Sequence, residues 1–254
     1  MGLLADHPGT YETIGVEYRS RRVADPRLER RVHEALGDAP TVVNVGAGTG
    51  SYEPRDRRVV AVEPSVVMLA QRGDGAAPAV RGIAEALPFL DGSFGAALAI
   101  LTIHHWTDPM AGLAELRRVS RRQVVLHFDL DVSWRFWLAD YLPEAWALDD
   151  RRSPTVDAAV AALGGSDRVR VEVLPVPHDC TDGFMAAFWR RPDAYLDPGV
   201  RAGISSLAQL GDAVVGAGIE RLARDLASGT WHERHGALLA LDEYDAGYRL
   251  IVAG

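Results

Sequence analysis

The sequence predicts an α/β fold in which a mainly parallel sheet carries helices on both faces. Three observations point there. The short runs Val42-Val43-Asn44-Val45 and Arg58-Val59-Val60-Ala61-Val62 are β-branched and apolar without strict alternation, as strands covered on both faces are. The first run passes straight into Gly46, Gly48 and Gly50, a glycine-rich turn at the end of a strand, where open α/β sheets bind ligands. Helix signals flank these runs, beginning with Asp25-Pro26 as N-cap and first turn, then a Leu28, Val32, Leu36 stripe that stops at Gly37.

A Gly-x-Gly-x-Gly turn lets backbone approach a ligand with no Cβ in the way; the alternative is a tight turn that holds no ligand. Glu63 ends the second run, so its carboxylate falls at the tip of the neighbouring strand, where it can accept from two ribose hydroxyls. After Ser51, Pro54 and the charged stretch Arg55-Asp56-Arg57-Arg58 leave little room for a helix. A helix N-terminus is what cradles a pyrophosphate, and the dinucleotide fingerprint is Gly-x-Gly-x-x-Gly opening a helix. The spacing therefore favours a cofactor without phosphates.

A third segment, Arg81 to Phe89, precedes Asp91-Gly92-Ser93-Phe94 and an apolar run from Ala96 to Leu101 that ends in Thr102-Ile103-His104-His105-Trp106. Residues 42–50 (VVNVGAGTG), 59–65 (VVAVEPS), 84–94 (AEALPFLDGSF) and 104–106 (HHW) come in an order that resembles the class I S-adenosylmethionine-dependent methyltransferases. Within them the match is to the small-molecule branch that includes the ubiquinone-biosynthesis-type enzymes, and it covers residues 40 to 130. The resemblance implies a Rossmann-like, seven-stranded, mainly parallel sheet with one antiparallel strand, helices on both faces and a helical cap. It implies S-adenosyl-L-methionine as cofactor and methyl transfer to O, N or C of a small-molecule acceptor.

For single residues, the resemblance places Gly46, Ala47, Gly48 and Gly50 under the cofactor and Glu63 at its ribose. Pro64-Ser65 starts a helix through Val66, Met68 and Leu69 to Arg72, and Pro64 and Met68 are candidates to sandwich the adenine, Met68 being equally readable as core. Asn44 stands where the family carries an acid that helps hold the methionine ammonium; an amide hydrogen-bonds there without pairing the charge, so weaker binding is expected. Ile83 stands where an aspartate commonly accepts from the adenine amino group. The backbone of Ala84 or the carboxylate of Glu85 would serve instead, although Glu85 also reads as a surface acid at a helix start.

Leu101, Thr102, His104 and His105 reach the carboxyl edge beneath the expected sulfonium. His104 is a candidate base for an acceptor hydroxyl, or a group that orients it, the alternative being a floor residue packed with Trp106. In such enzymes an N-terminal helix folds over the cofactor, so Tyr11, Tyr18, Arg19, Arg21 and Arg22 include candidate contacts, Tyr18 among the cofactor-binding set; an exposed surface helix is the other reading. The arginine clusters at Arg19 to Arg22, Arg27 to Arg31 and Arg117 to Arg122 read as solvated helix faces.

On the acceptor side, Pro109 to Val119 predicts a helix with Met110, Leu113 and Leu116 inward, and Gln123 to Phe128 a fifth strand. Trp134, Phe136, Trp137, Tyr141, Leu142 and Trp146 predict either a lid lining an acceptor pocket or a helix docked on the core. A helix from Thr155 to Leu163 stops at Gly164-Gly165, before the Val169, Val171, Val173 strand. Pro177-His178-Asp179-Cys180-Thr181-Asp182-Gly183 would form a polar wall of the pocket, with His178 or Asp182 as alternative base. It lacks the further ligands of a zinc site and the framework of a cysteine nucleophile, so no metal is expected. Ala246 to Ala253 would be the antiparallel strand near the sheet edge.

The 254-residue chain, 48% hydrophobic, is long enough for one large core. The reading is a single domain over 1–254, with 38–130 as the cofactor-binding core and 1–24, 132–165 and 177–236 as cap and acceptor-pocket elements. A net charge of −8 argues against a nucleic-acid partner, no run is long enough to span a membrane, and a lone cysteine suits a reducing cytoplasm. Frequent arginine and alanine with no lysine suggest a GC-rich, bacterial-type source. The expectation is a cytoplasmic monomer or homodimer. Two rival readings stay open: a protein of the same fold that binds the cofactor without methyl transfer, as a cyclisation catalyst or regulatory binder, and a dinucleotide oxidoreductase.

Overall fold

The structure, a computed structural model, describes residues 18–254, with side chains from residue 20 onward; Tyr11 and the side chains of Tyr18 and Arg19 lie outside the described residues. A one-turn helix α1 (Tyr18–Arg21) leads to α2 (Pro26–Ala35), which begins where the capping signals place it. The Asp25 carboxylate accepts from the Arg27 amide, and the helix closes at Leu36, followed by Gly37 in the left-handed region. Leu28, Val32 and Leu36 are buried, as their stripe requires.

β1 (Thr41–Val45), β2 (Arg58–Glu63), β3 (Ala79–Arg81), β4 (Phe94–Ile100), β5 (Ser120–Phe128), β6 (Val169–Val173) and β9 (Tyr248–Ala253) form one sheet in the order β3-β2-β1-β4-β5-β9-β6. β9 alone in this sheet runs opposite to the other six strands. It lies one strand from the edge and is buried on both faces along its whole length, which removes the alternation its Tyr248, Leu250, Val252 pattern suggests. Successive β1 residues point to opposite faces, and both faces are dry. Val42 packs with Leu28, Val32 and Leu98, whereas Val43 and Val45 pack with Val62, Leu113 and Leu116. The unalternating run thus follows from cover on both sides.

The sheet grows outward from β1 in two directions, to β2 and β3 on one side and to β4 and β5 on the other. Such a switch leaves a crevice at the carboxyl ends of the two central strands. α3 (Val66–Ala70) follows β2, with the Ser65 hydroxyl capping the Met68 amide. α4 (Pro109–Val119) precedes β5; Gly112, Leu113, Leu116 and Val119 face inward, but Met110 is exposed, contrary to the stripe drawn from sequence, because it falls on the first turn beside the N-cap Asp108.

The cap comprises α5 (Leu130–Ser133), α6 (Pro143–Asp150), α8 (Pro198–Ala202), α9 (Ser205–Ala208), α10 (Asp212–Ser228), α11 (Thr230–His235) and a two-stranded ladder of β7 (Val176–Pro177) with β8 (Glu243–Tyr244), whereas α7 (Val156–Ala162), expected in the cap, covers the sheet beside α4, Ala159 and Leu163 packing with Leu113, Leu116 and Ile251. Most of the aromatic stretch is core. Phe136, Trp137, Tyr141 and Leu142 are buried, and the Trp137 indole donates to the Trp189 carbonyl at 2.8 Å while packing edge-on against Tyr195 and Trp231. Trp134 is exposed, and Trp146 alone of the set lines a cavity. Among the described residues no helix is long and apolar enough to cross a membrane.

Candidate active site

The glycine turn and Glu63 meet. The Gly48 amide donates to Glu63 Oε2 at 2.8 Å, and the Ser65 amide donates to its Oε1 at 3.0 Å, so the carboxylate ties the turn after β1 to the start of α3. Gly46, Gly48 and Gly50 all have positive φ. At Gly46 the need for glycine is absolute: a Cβ would lie 2.0 Å from Thr102 Oγ1.

Three more amides of the turn are spent inside the protein. Gly46 and Ala47 both donate to the Val62 carbonyl, and Gly50 donates to that of Ala47. No helix forms between Gly50 and Arg58. The helix N-terminus of a pyrophosphate site is therefore not present at this turn, as the glycine spacing anticipates.

Above the turn lies a cleft of about 500 Å³, within the range of small-molecule sites. Asn44, Gly46, Ala47, Gly48, Glu63, Pro64, Met68, Ala84, Glu85, Leu101, Thr102 and His104 line it, which brings nearly all the predicted site residues together. Gly50 shapes the turn from outside this lining. Met68 is both a lining residue and core, being buried with its Cε 3.1 Å from where a Gly48 Cβ would sit. Ile83 lines the cleft as an exposed apolar side chain, whereas Glu85 is drawn aside, its Oε1 accepting from the Asp108 amide at 3.1 Å.

Asn44 has a partner that sequence reasoning missed. Its Nδ2 donates to Glu53 Oε1 at 3.1 Å, leaving the amide oxygen as its remaining acceptor. Glu53 is itself clamped by Arg72, whose Nη2 lies 2.7 and 2.8 Å from the two carboxylate oxygens, and it accepts from the Ala77 amide. An acid thus stands directly behind Asn44, its charge already matched.

The N-terminal stretch contributes Arg22. Its guanidinium lines the cleft and pairs with the buried Asp182 at 2.7 Å, which places it against the core and not on a solvated face. Asp182 also accepts from the buried Tyr52 hydroxyl at 2.8 Å. Asp182 is therefore an anchor and lines neither cavity, so the structure does not give it the position of a base. His178 lies in the turn just after β7, with its backbone donating to the Asp242 carbonyl, and it too lines neither cavity. Burial pushes the Cys180 thiol up to about 12, and among the described residues no cluster of potential ligands could hold a metal.

His104 occupies the opposite position. It is buried, its Nδ1 has no hydrogen-bond partner among the described residues, and burial with His105 beside it holds its pKa well below the ordinary value, so the ring is neutral. It lines both the cleft and a second cavity of about 50 Å³. Arg22 and Leu101 share that boundary; Leu101, at φ 48°, is one of two non-glycine residues in the left-handed region among those described, the other being Tyr52. Backbone held in that region at a ligand site indicates surroundings that dictate the geometry.

A glycine cradle with no helix N-terminus behind it, a carboxylate at the tip of the next strand and an adjoining cavity define the class of proteins that bind an adenosyl cofactor lacking phosphates. The cleft's size, the cradle and the orphaned His104 nitrogen fit S-adenosylmethionine.

A family model of a methyltransferase domain matches residues 43–128. A protein of Anabaena variabilis ATCC 29413, described as a methyltransferase from an antibiotic biosynthesis pathway, is 36% identical in its crystal structure, with a TM-score of 0.85 over 92% of this chain and 99% of that one. A demethylmenaquinone methyltransferase of Renibacterium salmoninarum is 32% identical over 155 residues, 56% of this chain; the chain spans 65% of that relative's length. Geranyl diphosphate C-methyltransferase of Streptomyces coelicolor A3(2), solved with S-adenosyl-L-homocysteine, is 16% identical at a TM-score of 0.50 over 89% of this chain and 76% of that one, which shows the shared fold. The chain belongs to the S-adenosylmethionine-dependent methyltransferases.

Proposed function

We propose that this protein transfers a methyl group from S-adenosylmethionine to a nucleophilic O, N or C of a small molecule. The observation that carries the reading is the pair of adjoining cavities: one is lined by the glycine turn and Glu63, the other is walled largely by aromatic rings, and the neutral His104 stands between them. When bound, the cofactor supplies an electrophilic methyl on a sulfonium. The chain's part is positioning. Glu63 would hold the ribose, the Asn44 amide oxygen the ammonium, and Pro64, Met68 and Ile83 the flat base. Holding acceptor and methyl in line in a water-poor space supplies most of the rate in such a transfer.

His104 is the candidate catalytic residue. Its unpaired nitrogen can accept from, and so orient, an acceptor hydroxyl or amine, and a neutral imidazole is the form that can take a proton. His178 and Asp182 have no such access. The single-domain arrangement, the cytoplasmic setting and a monomeric or dimeric state belong to the same proposal. The names of the Anabaena and Renibacterium relatives, which concern an antibiotic pathway and demethylmenaquinone, agree with a small acceptor.

The test uses purified protein, S-adenosylmethionine carrying a labelled methyl group, and a metabolite extract. Label appearing in a small-molecule fraction, and falling at least tenfold in His104→Ala at saturating cofactor, is expected. Calorimetric binding of S-adenosylhomocysteine with no label transferred across a broad acceptor panel would instead identify a binder or cyclase, and thermal protection by NAD alone would reject the cofactor.

A further inference from the structure

The second cavity has a polar end that the cofactor does not use. Most of its wall is rings, Phe128 from β5, Trp146 from α6, Phe184 and Tyr248, with Arg22 at the boundary it shares with the cleft. The Trp146 indole is locked in place by donating to the Ser133 carbonyl and hydroxyl at 3.0 and 2.9 Å. Into this lining comes one carboxylate, Asp149, from the last turn of α6. Its Oδ2 accepts from the Ser206 hydroxyl of α9 at 2.8 Å, and the charge of Arg152 acts on it without a salt bridge between them. Burial outweighs that hydrogen bond and pushes its pKa up to about 6. A carboxylate whose burial costs more than Ser206 and Arg152 return destabilises the free protein, which is the mark of a group kept for a ligand.

A second observation points the same way. The orphaned His104 Nδ1 belongs to a side chain 6% exposed that lines this cavity as well as the cleft. The space, about 50 Å³, exceeds severalfold the roughly 10–15 Å³ a single water requires.

We infer that this cavity is the acceptor subsite and that Asp149 is its recognition group, accepting a hydrogen bond from a hydroxyl or amine on a planar apolar ring that packs among Trp146, Phe184 and Tyr248. The inference rests on the methyl-transfer reading only in naming the acceptor end of that site. Asp149 binds and selects, and His104 faces the boundary with the cofactor cleft.

The experiment measures binding of phenol, aniline and toluene by saturation-transfer NMR, to the free protein and to protein loaded with S-adenosylhomocysteine, in wild type and in Asp149→Asn. The expected result is that phenol or aniline binds at least fivefold tighter than toluene, and that Asp149→Asn abolishes this preference while calorimetric affinity for S-adenosylhomocysteine stays within twofold. Which of the two donors is preferred separates a hydroxyl from an amine acceptor. Asp149→Asn should also melt at a higher temperature than wild type at pH 7, an effect that a carboxylate serving only structure would not produce. Equal binding of the three probes, binding of none, or an unchanged preference in the variant overturns the inference. Failure of S-adenosylhomocysteine to bind would instead defeat the methyltransferase reading, and the free-protein arm would still decide the subsite.

Discussion

Glu63 and Glu53 carry opposite kinds of work with the same carboxylate. Glu63 joins the glycine turn to α3 and faces the cleft, so Glu63→Ala should weaken S-adenosylhomocysteine about a hundredfold by calorimetry, in line with two charge-assisted hydrogen bonds, while circular dichroism stays native. Gly48→Val should do the same by adding a β-branched side chain at φ +52° against Met68. Glu53 is structural. With Arg72 it forms an ion pair whose side chains are 5% and 7% exposed, and Glu53→Ala leaves the guanidinium buried without its partner. A loss of about 3–5 kcal/mol in denaturant unfolding is expected. Asn44 depends on this pair for its orientation, so the same variant should also bind the cofactor more weakly.

Among the elements, the α5–α6 stretch decides how the cap attaches. Its rings are mostly core, with Trp137 donating to Trp189 and Tyr141 donating to Asp225 of α10 at 2.7 Å. α10 can approach only because residue 218 is glycine: a Cβ there would lie 2.4 Å from Leu142 Cδ2 and 2.5 Å from the Tyr141 carbonyl. Backbone on one side cannot give way. Gly218→Ala should therefore cost about 1–3 kcal/mol despite its better helix propensity, measured as a lower denaturation midpoint. A midpoint equal to or above wild type would mean that the cap rides on α10 more loosely than this contact requires. The rings that pack the cap are dense in sequence, but density alone does not say which of them face ligand; tertiary bonds settle that, Ser133 holding Trp146 at the cavity wall and the Trp189 carbonyl holding Trp137 in the core.

At the scale of the whole molecule, pH stability follows from histidines buried in neutral form. His104 is held well below the ordinary value, and His127, inside β5 with its ring bonded to the Pro154 carbonyl, is lowered to about 4, both chiefly by burial. The folded state then binds fewer protons than the unfolded chain below pH 6.5, so stability rises with pH through that window and is lost as pH falls. Each histidine contributes a slope of about 1.4 kcal/mol per pH unit there. The melting temperature should drop steeply between pH 6.5 and 4.5, and His127→Asn should flatten the slope.

The cofactor half of the site was legible in the sequence because its chemistry is local. A strand, a turn and the next strand's tip lie within 22 residues, from Val42 to Glu63, and glycine spacing, apolar runs and an early proline each have one physical meaning at that range. The acceptor half was not. Asp149 meets Ser206 across 57 residues, Arg22 meets Asp182 across 160, and Trp146, Phe184 and Tyr248 share a wall though they come from three distant segments. Nothing near Asp149 marks it, since a carboxylate at a helix end reads as surface until another helix buries it. By itself the sequence determined the parallel sheet, the phosphate-free cradle and Glu63; only tertiary packing, by choosing which side chains lose water and which keep an unpaired polar atom, decided where an acceptor can sit.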